Sequence, residues 1–263
     1  MRLRGAWGEV ELLDEVAEGF EARVYRGRWV DFNRQVRRVA IKRPLDLSVN
    51  GRVLWEARWT RQRKFPSPYF VKPVLRMESD WGDLYVEPWI RGETLSQIRA
   101  RDPKWLASDA LVLQLGRQML RAWRSLQSEG LVHGDFSPHN VMLDESGGLA
   151  ILDVHAGDEP DHLRLTAAFA APERLAGEMA SSASDLYSLG RLLAYCQEGR
   201  ECQALVHEVW PGLMSEQPAN RHARPQRRRV PRLHWMQAHE EFVSFGLDNC
   251  ASRESSERNL VDS

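Results

Sequence analysis

The sequence predicts an α+β protein built as two lobes, and three observations lead there. The first third alternates apolar and polar residues between turn signals, as antiparallel strands do. The remainder changes to apolar residues every three or four positions, the period of a buried helix face. The length of 263 residues is enough for one substantial core or two smaller ones.

Three strands open the chain, in Val10-Glu11-Leu12-Leu13, Ala22-Arg23-Val24-Tyr25-Arg26 and Arg38-Val39-Ala40-Ile41-Lys42, with turns near Gly19 and near Asp31 to Asn33. Ser48 opens a helix that runs through Leu54, Glu56 and Trp59 until Pro66 and Pro68 stop it. Val71-Lys72-Pro73-Val74-Leu75 and Leu84-Tyr85-Val86-Glu87 read as two further strands. Leu111, Leu115, Met119, Ala122 and Leu126 mark a long amphipathic helix closed by Gly130. Ser184 caps a second helix that buries Leu186, Leu189, Leu192, Leu193 and Cys196 and ends at Gly199. The expected division is a first lobe over residues 1–88, a second over 89–221, and an arginine-rich flexible tail over 222–263.

With 36 basic and 37 acidic residues the net charge is −1, so no general attraction to nucleic acid or an anionic membrane is expected. Cys196, Cys202 and Cys250 are odd in number and show no C-x-x-C spacing, which argues against a disulfide framework or a zinc site. No run approaches a membrane span and the N-terminus lacks the apolar core of a signal peptide, so a soluble cytoplasmic protein is expected.

The chemistry concentrates in His133-Gly134-Asp135-Phe136-Ser137-Pro138-His139-Asn140, with a second acid at Asp153 after the apolar run Ala150-Ile151-Leu152. Phosphoryl transfer needs such a set: a carboxylate to orient and deprotonate a hydroxyl, then an amide and a second carboxylate for a metal ion. In Val39-Ala40-Ile41-Lys42 the small Ala40 and the Lys42 ammonium share one face of a strand. The pair suits a flat base and its phosphates, and equally an ordinary strand with a surface lysine. Between Leu47 and Met77 the sole acid is Glu56, the expected partner of Lys42. Upstream, residues 16–24 keep one glycine, Gly19, of a phosphate-covering loop, with Ala17 and Ala22 at other glycine positions.

Taken in order, these segments resemble the eukaryotic-type serine/threonine protein kinase family, in a divergent bacterial-like form, over about residues 10 to 221. The resemblance implies a bilobal protein-kinase fold with an antiparallel first lobe carrying one helix and a mainly helical second lobe. It makes Lys42 the phosphate lysine, Glu56 its helix partner, Asp135 the catalytic carboxylate, and Asn140 and Asp153 the ligands of magnesium, or of manganese in its place. Ala171-Pro172-Glu173 matches A-P-E, Thr166 lies in the threonine-containing stretch before it, Asp185 supports the catalytic loop, and Arg221 pairs with Glu173. Ala17, Gly19, Val24 and Ala40 would cover ATP, Met142 and Leu152 would lie beneath it, Glu87-Pro88-Trp89 would form the hinge, and Val86 would be the gatekeeper.

Four positions depart from the family pattern. Gly134 replaces the arginine of H-R-D, making the chain non-RD and activation by loop phosphorylation doubtful. Ser137 replaces the lysine two residues after the aspartate, a role that His139 or Arg23 is a candidate to fill. D-F-G reads Asp153-Val154-His155, and the eroded glycine loop carries Glu21, which would repel phosphate. The expected activity is transfer of the ATP γ-phosphate to serine or threonine of protein substrates. A nucleotide-binding pseudokinase is the alternative, and a small-molecule kinase stands third. The arginines from Arg221 to Arg232 are either a solvated tail or a docking site for an acidic partner or nucleic acid.

Overall fold

A computed structural model describes residues 1–19, 21–65, 67–153, 165–197 and 210–223. The expectations for Val154 and His155, the helix end at Gly199, and the arginine-rich segment from Arg224 onward lie outside the described residues. Two compact units divide the chain, Met1–Ile90 and a second beginning at Arg91.

The first unit is a six-stranded antiparallel sheet: β1 (Arg2–Gly5), β2 (Gly8–Glu18), β3 (Ala22–Val30), β4 (Val36–Pro44), β5 (Leu75–Met77) and β6 (Leu84–Pro88), in the order β1-β2-β3-β4-β6-β5. One face buries Val10, Leu12, Val39, Ile41, Met77, Leu84 and Val86 as a single cluster. Alternation sends the intervening residues, Ala40, Lys42, Tyr85 and Glu87, to the other face. Helix α1 (Val49–Gln62) starts where Ser48 Oγ accepts the Gly51 N–H, as the sequence suggested.

Two strands differ from expectation. Residues 71–74 do not join the sheet as a strand, since Pro73 has no N–H to give; pairing starts at Leu75. Strand β1 is new, an edge strand whose Arg2 and Arg4 pair with Glu11 at 2.9 Å and Glu9 at 2.7 Å across the ladder.

The second unit contains a small sheet of β7 (Gly92–Thr94), β8 (Val141–Asp144) and β9 (Leu149–Ile151). Its helices among the described residues are α2 (Leu95–Arg101), α3 (Pro103–Leu106), α4 (Asp109–Ser128), α5 (Pro172–Leu175) and α6 (Ser182–Cys196), with a 3-10 turn at Pro218–Asn220. The buried stripe of α4 includes all five predicted residues, and Gly130 ends it with φ +67°, the left-handed turn that glycine takes without a Cβ penalty. The N-cap of α6 is Ser181 rather than Ser184; Ser184 sits three residues on and completes a reciprocal capping box. Leu186, Leu189, Leu192, Leu193 and Cys196 are buried as predicted. Among the described residues no helix is long and apolar enough to cross a membrane.

Candidate active site

In the second unit the catalytic candidates lie on the loop between α4 and β8, and the loop is held from beneath by a buried carboxylate. Asp185, on the first turn of α6 and 2% exposed, accepts the backbone N–H of His133 at 2.7 Å and of Gly134 at 2.9 Å. Gly134 has φ +88°, where a side chain would be strained, so the residue at the H-R-D arginine position suits the backbone it occupies. His133 is fully buried and stacks on Phe136 at 4.2 Å. Its Nδ1 accepts the Asp135 N–H at 3.2 Å, which leaves the proton on Nε2 to be donated to the Leu152 carbonyl at 3.0 Å. Burial lowers the imidazole to about 4, against the Leu152 bond and the Asp153 charge, so the ring is neutral.

Asp185 is the opposite case: burial pushes its carboxyl up to about 7 against the pull of the His133 and Gly134 N–H groups. A carboxyl raised on folding from 3.8 gives the native state its proton advantage at low pH, and that advantage is lost as pH rises through about 7. Asp185→Asn should therefore destabilise most near pH 4, and the gap to the unmodified protein should narrow toward pH 7.5 by up to ~1.4 kcal/mol per pH unit. Urea unfolding of both proteins across that range measures it; a constant gap would contradict the assignment.

Asp135 is half-buried and its carboxylate is oriented on both oxygens. Oδ1 accepts the Thr166 backbone N–H at 3.1 Å; Oδ2 accepts Asn140 Nδ2 at 2.9 Å and the Thr166 hydroxyl at 3.2 Å. Burial raises its pKa, with the Thr166 and Asn140 bonds opposing and the Asp153 charge adding. Thr166, expected only as part of the stretch before A-P-E, thus touches the catalytic candidate directly. Downstream, Glu173 and Arg221 form the predicted pair, with Arg221 Nη2 at 2.8 Å from Glu173 Oε2.

Asn140 and Asp153 are brought together by the backbone: the Leu152 N–H donates to the Asn140 carbonyl at 2.8 Å. Asn140 Nδ2 also donates to the Asp135 carbonyl at 3.0 Å, which turns the carboxamide oxygen away from these bonds. Asp153 follows β9 with φ +46°. A carboxamide oxygen and a carboxylate are both ligands that a hard dication takes. Among the described residues no group of three or more His, Cys, Asp or Glu could hold a metal, so phosphates and water would complete the shell, as they commonly do for magnesium.

Ser137 does not stand in for a lysine. It is 1% exposed and its hydroxyl has no hydrogen-bond partner among the described residues. Neither candidate substitute is shown in that role: His139 Nδ1 lies 3.1 Å from Ser96 Oγ, and Arg23 Nε is 2.8 Å from Glu18. Met142, on β8 opposite Ala150, and Leu152 are half-buried.

The first unit carries Lys42, the lysine expected to meet phosphate. Lys42 on β4 lies opposite Tyr85 and is 7% exposed, while Ala40, two residues earlier on the same face, lies opposite Glu87. Lys42 Nζ is 3.0 Å from Glu87 Oε1 and 2.9 Å from Oε2. The expected Lys42–Glu56 pair is not formed. Glu56 points outward with a 61% exposed side chain and bonds Arg76 Nη1 at 2.9 Å. The reason is the face that α1 buries: Trp55 stacks on Tyr85 at 4.5 Å and Trp59 lies against the same ring at 5.0 Å, which leaves Glu56 about 100° round the helix.

Val86, expected as the gatekeeper, faces the apolar cluster instead, and it is Glu87 that shares the face of Lys42. Pro88 has no N–H, and the Trp89 N–H is given to the Arg38 carbonyl at 3.3 Å. Ala17 and Val24 pair across the β2–β3 hairpin, and Gly19 closes it by donating to the Ala22 carbonyl at 2.9 Å. Glu21, expected to repel phosphate, is neutralised by an ion pair with Arg58 of α1.

A family described as "Protein kinase domain" matches residues 13–258. Among characterised relatives, the DNA damage-responsive serine/threonine-protein kinase RqkA of Deinococcus radiodurans is 31% identical over 200 residues, 71% of this chain and 29% of its own length. Serine/threonine-protein kinase F of Synechocystis is 30% identical over 151 residues, 51% of this chain and 30% of its own. The serine/threonine-protein kinase pkn3 of Myxococcus xanthus is 24% identical over 240 residues, 83% of this chain and 43% of its own. The matched part of this chain thus corresponds to less than half of each relative. With the matching family spanning most of its length, and the braced catalytic loop and Glu173–Arg221 pair in place, the chain belongs to the protein kinase family.

Proposed function

We propose that the protein transfers the γ-phosphate of ATP to serine or threonine hydroxyls of protein substrates. The observation that carries this is the Asp135 carboxylate, fixed by Thr166 and Asn140 on a loop braced by Asp185. Asp135 would align the acceptor hydroxyl and take its proton as the bond to phosphorus forms, a task suited to a carboxyl raised by burial. Lys42 would hold the phosphates of the nucleotide, and Ala40 and Val24 would leave room for the base. Asn140 and Asp153 would hold magnesium or manganese, which neutralises charge on the transferring phosphates. A cytoplasmic setting accords with Cys196, buried and free of any disulfide.

Incubation with γ-labelled ATP, magnesium and a basic protein acceptor tests the proposal. Label should appear on phosphoserine or phosphothreonine and fall to background when excess EDTA removes the divalent ion. Label on a sugar or amino alcohol but on no protein, or no EDTA-sensitive label at all, would overturn it.

A further inference from the structure

We infer that Glu87 is the residue that positions Lys42, so that the phosphate lysine takes its orienting carboxylate from strand β6 and not from helix α1. The inference uses the proposed transfer only to say what Lys42 is for; the pairing is set by the sheet.

The Lys42 ammonium lies within 3.0 Å of both Glu87 oxygens, with the two side chains 8% and 3% exposed. Neither charge would be tolerated alone at that burial, so each fixes the other. The ladder leaves little freedom in the geometry. Ala40 opposes Glu87 and Lys42 opposes Tyr85, so Lys42 and Glu87 are diagonal neighbours on one face of adjacent strands. A carboxylate on a hydrogen-bonded strand cannot swing away as one on a helix can.

Helix α1, meanwhile, is fastened in an orientation that keeps Glu56 elsewhere. Trp55 Nε1 donates to the Asp83 carbonyl at 2.7 Å, and the Tyr85 hydroxyl donates to the Trp55 carbonyl. Arg76 links Glu56 to Asp83, its Nε lying 3.1 Å from the Asp83 carboxylate. Bringing Glu56 to Lys42 would require breaking the Trp55–Tyr85 stack and the Arg76 bridge, and would displace a carboxylate already bound. Lys42 is therefore oriented without any movement of α1, and Glu56 is not a control point of the reaction.

Glu87→Gln keeps the shape and removes the charge, Glu87→Asp keeps the charge with a shorter reach, and Glu56→Gln is the comparison. Each is made in the full chain and assayed below its melting temperature. The dissociation constant of ATP–magnesium is measured by calorimetry, and kcat and KM for ATP by phosphotransfer. Glu87→Gln should weaken kcat/KM for ATP roughly ten- to hundredfold, the usual cost of losing an orienting partner, with part of the loss in the dissociation constant. Glu87→Asp should recover part of it, and Glu56→Gln should stay within about twofold of the parent. An equal loss in Glu56→Gln, or none in Glu87→Gln, overturns the inference. If the parent binds ATP–magnesium with Glu87-dependent affinity but transfers nothing, the transferase proposal fails and this inference stands. If the parent does not bind the nucleotide, both fall.

Discussion

Replacing Asp135 with asparagine should lower phosphotransfer by about 10²- to 10⁴-fold, the range expected for loss of a general base, while ATP–magnesium binding stays close to that of the parent. The carboxylate has about four acceptor sites, and three are taken by the Thr166 N–H, the Thr166 hydroxyl and Asn140 Nδ2. What remains is one lone pair in a fixed direction, which is what a single substrate hydroxyl requires. An asparagine amide would turn N–H donors toward groups that are themselves donors, so orientation is lost together with basicity. Because burial holds the carboxyl above its ordinary 3.8, the acid limb of the pH–rate profile should also lie above that value. The decisive measurement is initial-rate phosphotransfer by both proteins at saturating ATP. Transfer by Asp135→Asn at the parental rate would remove Asp135 from the chemistry.

What the sequence reveals and what it hides divide along physical lines. The catalytic loop was legible as a short motif, and the Asp185 brace and the Glu173–Arg221 pair through the family resemblance, which implies contacts between residues far apart in the chain. The partner of Lys42 was not. It depends on which face of α1 is buried, and Trp55 and Trp59, four residues apart, outcompete Glu56 for the inward side through their stack on Tyr85. Val86 was expected beside Lys42, but in a strand one residue is the other face: Val86 goes to the apolar cluster and Glu87 to Lys42. The signal available was the buried acid itself, since a glutamate inside the run Leu84-Tyr85-Val86-Glu87 has to find a cation. Strand β1 was hidden by its shortness: four residues offer a single apolar position, Leu3, and its exposed face is held by arginine–glutamate pairs. Thr166 could be placed near the A-P-E motif, but its bonds to Asp135 join residues 31 apart in the chain and depend on the fold.

The second large effect expected is on stability, at Arg221. Its side chain is fully buried, its guanidinium spans both oxygens of Glu173, and it also donates to the carbonyls of Ser215 at 2.7 Å and Ala183 at 3.2 Å. The group lies 4.9 Å from the Tyr187 ring centroid as well, so one side chain ties the residues before the 3-10 turn to α5 and α6. Arg221→Met fills similar space but leaves the Glu173 carboxylate without its cation, and should destabilise by ~3–5 kcal/mol. For a chain of this size that lowers the melting temperature by roughly 6–20 °C. Combining it with Glu173→Met should cost less than the sum of the two single changes, because the second removes the stranded charge. The pH dependence fixes the cause. Burial pulls the Glu173 carboxyl up, but the bonds and charge of Arg221 outweigh it and hold the group below its ordinary 4.5. The pair's contribution is therefore present above about pH 4.5 and disappears as pH falls through the lowered value. The gap between parent and Arg221→Met should close on acidification, as read from melting curves between pH 3 and 7. A gap that stays constant would mean that Arg221 acts through its packing and carbonyl bonds, with the ion pair adding nothing.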